Sequence, residues 1–168
     1  MSPEEVVVAY HERTKHHPQR SARGPGRLDW ANQPDPFRRY RGAALVRLAQ
    51  EITQAPAYWQ LYVAGSTPAA PLSLDSLSQL FRYALSLTAW KRFGDVSWSL
   101  RANPSSGNLH PTEAYALLPA LEGLHARPAL YHYAPKEHGL ERRAELRDET
   151  WSALMHGYPS GAFLVGLS

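Results

Sequence analysis

Leu74, Leu77, Leu80, Phe81, Ala84 and Leu85 recur at three- and four-residue spacing, and Thr88 continues the series. That spacing places them on one face of an amphipathic helix, predicted over residues 74–90. Ser73 stands where an N-cap belongs and Asp75 falls in the first turn, while Lys91-Arg92 followed by Gly94 reads as the C-terminal signal. Downstream the pattern predicts strands. Residues 113–118 and 129–133 form a predicted antiparallel pair, joined by a connector from Pro119 to Pro128 that contains Gly123. On the second strand Tyr131 and Tyr133 share one face and His132 takes the other. Residues 138–147 are charged and predict a strand or a helix start, 148–156 a short helix, and 161–167 a buried strand. A buried strand wants a neighbour on each side, so a partner chain covers it or the chain is the front piece of a longer protein; the second is preferred.

The N-terminal part is less regular. Val6 to Tyr10 is a short apolar run that fits a helical turn or a strand. Residues 11–44 read as mostly irregular, basic at first and then interrupted by Pro34 and Pro36. They are expected to drape over a larger body, pinned by Trp30, Phe37 and Tyr40. A Pro-rich connector follows over 55–71. The expected organisation is an irregular arm and connector, 1–70, and an α+β body, 71–168.

Composition narrows the class. The chain has 168 residues, 43% of them hydrophobic, with five Trp and nine Tyr, enough for a core in one ordinary domain. Fourteen prolines favour long loops and interrupted helices. With no cysteine, disulfides and thiolate chemistry are excluded. No apolar run reaches the ~18 residues of a membrane span, and no basic-then-apolar leader opens the chain, so a cytoplasmic location is the default. The formal charge of +3 suits an anionic cofactor but is too weak to argue for nucleic acid. Aromatics do interleave with arginines over 13–41, yet Glu12, Asp29 and Asp35 interrupt the charge, and a solvated surface is preferred. His11, His16 and His17 lie close together, but on an irregular segment with Glu12 as the nearby carboxylate; no metal site is expected.

The candidate chemistry concentrates in Arg101-Ala-Asn-Pro-Ser-Ser-Gly-Asn-Leu-His-Pro-Thr-Glu-Ala-Tyr115. Small residues let a backbone approach a flat ligand, and Ser and Asn offer donors and acceptors to its edge. A plain cap or turn is the alternative. If the ligand is a flavin, amides of residues 105–108 donate to the ring edge, the Asn108 amide reads the pyrimidine side, and Arg101 sits near the phosphate or the atoms that gain charge on reduction. His110 lies inside the loop and faces flavin, substrate or the neighbouring strand. Serine nucleophile chemistry from Ser105 or Ser106 with His110 lacks the Gly-x-Ser-x-Gly order. No side chain stands out as a general base; Tyr131, Tyr133 and His110 are the candidates.

Pro104-Ser-Ser-Gly-Asn-Leu-His-Pro111 resembles the signature of the FMN-dependent nitroreductase superfamily. The run from Arg101 to Tyr115, with Leu130-Tyr-His-Tyr133 and His138-Gly-Leu140, is similar to its SagB-type dehydrogenase branch, as are Tyr10 to Lys15, Leu28 to Phe37, helix 74–90 and Phe163 to Leu167. The resemblance implies a nitroreductase-like antiparallel sheet with helices, and a homodimer with flavin at the subunit interface. It implies FMN-dependent oxidoreduction of a small organic or peptide-derived substrate. It also implies flavin contacts from Pro104, Ser105, Ser106, Gly107 and Asn108, with Arg101 a weaker member. The chain departs from the family pattern around Tyr58 to Pro71, where an early arginine phosphate motif belongs and no arginine occurs. The rival expectation is a non-catalytic binding module, or a truncated remnant of the same fold.

Overall fold

Short-range capping and long-range strand pairing organise different parts of the chain. The computed structural model describes residues 1–24, 26, 29, 32–51 and 56–168. The chain divides into two compact units, Met1–Pro34 and Asp35–Ser168. The expected anchor Trp30 lies outside the described residues.

In the first unit the Val6 to Tyr10 run belongs to helix α1, Pro3–Thr14. Its start is dictated locally. Ser2 accepts from the Glu5 amide, the Glu5 carboxylate accepts from the Ser2 amide, and Pro3 opens the first turn. No residue of α1 is buried, so these local signals carry its formation. After the helix, Arg20 donates to the carbonyls of Arg13 and Glu12, and His16 Nδ1 accepts from the Ala22 amide. Among the described residues no group of three or more His, Asp or Glu is placed to hold a metal.

The second unit is α+β. Its elements are β1 Leu45–Arg47, α2 Leu74–Leu85, β2 Leu87–Phe93, β3 Val96–Arg101, β4 Ala114–Leu118, β5 Ala129–Ala134, β6 Gly139–Glu145, α3 Asp148–Leu154 and β7 Leu164–Leu167. Five strands form an antiparallel sheet in the order β1-β6-β5-β4-β7, and β2 pairs with β3 in a separate hairpin. β4 alternates buried and half-buried positions, as a strand with one core face should. Ala116, Leu118, Ala129, Tyr131, Tyr133 and Leu140 build the core with Leu77 and Phe81 of α2. Phe81 stacks on Tyr133 with ring centroids 4.6 Å apart. Gly139 is required by contact rather than by conformation: a Cβ there would lie 2.8 Å from Leu45 Cδ1 and 2.9 Å from the Val46 carbonyl.

Two sequence expectations are corrected. Helix α2 begins at the Ser73 cap as expected, but it stops at Leu85 rather than at 90. The helical spacing of Leu85 and Thr88 hid a strand. Residues 87–93 pair with β3 from Leu87↔Arg101 to Phe93↔Val96, and Gly94 (φ 56°) begins the two-residue turn between them. Lys91 and Arg92 are therefore strand residues, not a helix end. The expected buried strand at 161–167 is β7, an edge strand on which Val165 and Leu167 are exposed, because it pairs with β4 alone. Residues 138–147, left open between strand and helix, supply β6.

Candidate active site

The backbone of the loop from β3 to β4 is sharply bent. Gly107 (φ 66°), Asn108 (φ 57°) and His110 (φ 47°) are all left-handed. Two non-glycine residues in that region within one loop is a strained arrangement of the kind found at ligand sites. The bend is not under packed side chains: Pro104, Ser106, Gly107 and Leu109 are exposed. The Asn108 amide donates to the Ser105 carbonyl at 3.1 Å, and the His110 amide to Ser105 Oγ at 2.9 Å. Those bonds set the bend and leave Ser106 and Gly107 at its crest. A Cβ on Gly107 would meet only Leu109, at 3.7 Å, so glycine is needed there for φ.

The two ends of the loop border a small cleft lined by Leu85, Arg101, Asn103, Thr112, Glu113 and Tyr133 among others. Three polar atoms of this region are buried without a hydrogen-bond partner among the described residues: Arg101 Nε, Asn103 Oδ1 and His110 Nδ1. Arg101 is half-buried, and burial pushes its guanidinium pKa down, with Glu113 opposing. It donates to the Pro36 carbonyl and lies over the Phe37 ring at 5.1 Å. Burial, then the Arg101 charge, lower the His110 pKa, which favours neutral imidazole. His110 Nε2 lies 2.9 Å from Asn108 Oδ1 and must donate to it, so the lone pair falls on Nδ1. The cleft thus offers one unused donor, from Arg101, and one unused acceptor, from Asn103, while His110 Nδ1 is a further unused acceptor on the same loop. A buried polar atom left unpaired costs about 1–3 kcal/mol, so the Arg101 and Asn103 atoms that share the cleft favour a polar partner there. The phenol of Tyr131 is also buried without a partner, but it sits in the core cluster.

The residues expected at the site therefore gather on one loop: Arg101, Pro104, Ser105, Ser106, Gly107, Asn108 and His110. No hydroxyl of Ser105 or Ser106 reaches the His110 imidazole, which is engaged by Asn108. Tyr133 is turned away from chemistry, with its phenol 2.7 Å from His138 Nδ1 and its pKa raised by burial. Sequence reasoning missed Asn103, whose orphaned carbonyl is visible only in three dimensions. It also missed Glu113, Tyr40, Tyr115 and Glu141. These converge on His132, which the strand pattern sets on the face opposite Tyr131 and Tyr133, through the cross-strand pairs Tyr115↔His132 and His132↔Glu141. A larger concavity is formed by the single loop 120–126, where His125 is already engaged by Glu145 and Arg142.

No family model and no curated protein matches this chain. A solved structure does. A protein of Anabaena variabilis described as a "putative nitroreductase" is 30% identical, with a TM-score of 0.58, over 89% of this chain and 27% of its own length. The chain spans about a quarter of that protein (27%). Antiparallel sheet, flanking helices and this likeness together establish a nitroreductase-like fold.

Proposed function

We propose that this chain binds FMN and takes part in FMN-dependent oxidoreduction of the nitroreductase and SagB-type dehydrogenase kind, on a small organic or peptide-derived substrate. The observation that carries the reading is the set of unused polar atoms, Arg101 Nε, Asn103 Oδ1 and His110 Nδ1, on one loop that also holds an exposed, glycine-bearing bend. A flavin ring presents one N–H between two carbonyls along one edge; the Arg101 donor suits a carbonyl and the Asn103 acceptor suits the N–H. When bound, FMN supplies the capacity to accept and pass on a hydride or electron pair. The protein supplies placement. Ser106 and Gly107 bring main-chain amides to the ring, Pro104 and Ser105 shape the approach, and Asn108 holds the His110 tautomer. Arg101 offers positive charge where negative charge develops. The cleft is small, so these groups meet one edge rather than enclose the ring.

The flavin-binding part is assigned to residues 71–168 and the location to the cytoplasm; among the described residues no helix is long and apolar enough to cross a membrane. The open, apolar edge of β7 supports a partner along that side, and we assign a homodimer. The test is a flavin titration of this chain beside a version extended at its C-terminus. Uptake followed near about 450 nm, the region of bound-flavin absorbance, supports the reading. Absence of uptake by both forms supports a non-catalytic module instead.

A further inference from the structure

A buried three-group array borders the same cleft. His132 on β5 is fully buried, with Nε2 2.8 Å from Glu113 Oε2 and Nδ1 2.8 Å from Glu141 Oε2. Both carboxylates are buried as well. Strand register builds the array: Glu141 on β6 is directly opposite His132, and Glu113 precedes β4 with its backbone bonded in both directions to Ser168. The two contacts at 2.8 Å require two bridging protons. An imidazolium between two carboxylates satisfies them, and so does a neutral imidazole beside one carboxylic acid. Both forms carry one net negative charge and differ only in where a proton rests. The two ends are unlike. Glu113 lines the cleft with Arg101 and Asn103, while Glu141 faces the Tyr40 amide at 3.5 Å.

Charged and titratable neighbours surround the array from every side. Tyr40, ahead of β1, and Tyr115, on β4, pack their rings 5.1 and 5.3 Å from His132 and join hydroxyls at 2.5 Å. Arg38 Nε is 3.9 Å from Glu113 Oε1, and Arg143 of β6 lies 3.6 Å over the Tyr40 ring. Arg101 of β3 feels the Glu113 charge. These cations offset the net negative charge of the array.

We propose that Glu113 is the proton-exchanging group of the cleft, with His132 and Glu141 as the positioning residues that load and unload it. This rests on the flavin reading. In the donating direction the array starts with the protons on His132 Nε2 and Glu141: the Nε2 proton moves to Glu113 as the Glu141 proton moves to His132 Nδ1. The Glu113 O–H bond so formed then breaks as a bond from that hydrogen to a ligand atom forms. The array passes from two bridging protons and one net negative charge to one proton and two negative charges. It transfers no electrons. The reverse shift recovers a proton from the ligand, so a redox couple that takes up a proton in one half-reaction and releases it in the other restores the array.

The test uses the full chain with 15N-labelled histidine, with FMN as the probe, first oxidised and then reduced with dithionite. His132 resonances are identified by their loss in His132→Gln. The expected result is a change in the protonation-sensitive nitrogen shifts of His132 between oxidised and reduced FMN. Glu113→Gln should abolish that change. Glu141→Gln, a substitution away from the cleft lining, should diminish it. Uptake of FMN by the wild-type chain with His132 shifts identical in both redox states overturns the proposal and spares the flavin reading. Absence of FMN uptake overturns both. The wild-type comparison decides alone if a variant fails to fold.

Discussion

Beneath α2, Ser78, His138 and Tyr133 close on themselves; around the 101–113 loop, Arg101, Asn103 and His110 do not. In the first region Ser78 Oγ donates to the Ala49 carbonyl at 2.6 Å, so His138 Nε2, 2.9 Å away, must donate to Ser78. His138 Nδ1 then accepts from the Tyr133 hydroxyl at 2.7 Å. Each of these donors has an acceptor, the imidazole is neutral, and burial lowers its pKa, with Arg82 adding to the effect. A serine beside a buried histidine would elsewhere read as a nucleophile, but here the serine proton is committed to a carbonyl. In the second region comparable burial leaves polar atoms unpaired beside an exposed, strained bend. The difference separates polarity that completes a core from polarity that awaits a ligand.

The largest expected effect lies in the closed region. Phe81→Ala removes a fully buried ring stacked on Tyr133 and is expected to destabilise by about 3–5 kcal/mol in urea denaturation. Tyr133→Phe strands His138 Nδ1 and should lower stability by about 1–3 kcal/mol, with flavin affinity unchanged. Asn103→Leu should do the reverse. It deletes an acceptor that has no partner, so stability stays within about 0.5 kcal/mol, while FMN affinity falls about tenfold, equivalent to roughly 1.4 kcal/mol. Equal behaviour of the Tyr133 and Asn103 variants in both assays would erase the distinction between the regions. Gly107→Ala forces a side chain into a left-handed position without a steric clash and should cost about 1–2 kcal/mol by thermal melting.

The smallest effect is in pH dependence. The His110 and His138 pKa values are both lowered in the folded chain, burial being the first cause in each. The unfolded chain then binds more protons below the ordinary histidine value of about 6.5. Their contribution to stability is present above that value and is lost as pH falls through it toward the folded values. Melting temperatures taken from pH 8 down to pH 5 should fall, and His138→Gln should flatten the decline.

Much of the sheet was legible because β4, β5 and α2 carry their own periodicity and caps. The Ser73 cap, the 113–118 and 129–133 strands and the loop signature are all local features. What escaped was set by distance in the chain. Leu85 and Thr88 satisfy helical spacing, and only pairing with β3 turns 87–93 into a strand. The apolar run at 164–167 reads as buried, yet sheet order puts it on an edge. His132 carries no local signal of its role, because its partners Glu113 and Glu141 meet it only through register. Asn103 and His110 gained meaning through what fails to approach them.

The most direct test of the central claim is an FMN titration by flavin absorbance, run in parallel on the wild-type chain and Asn103→Leu. The account predicts saturable uptake by the wild type and about tenfold weaker uptake by the variant at equal thermal stability. No uptake by the wild type, or equal uptake by both, would contradict it.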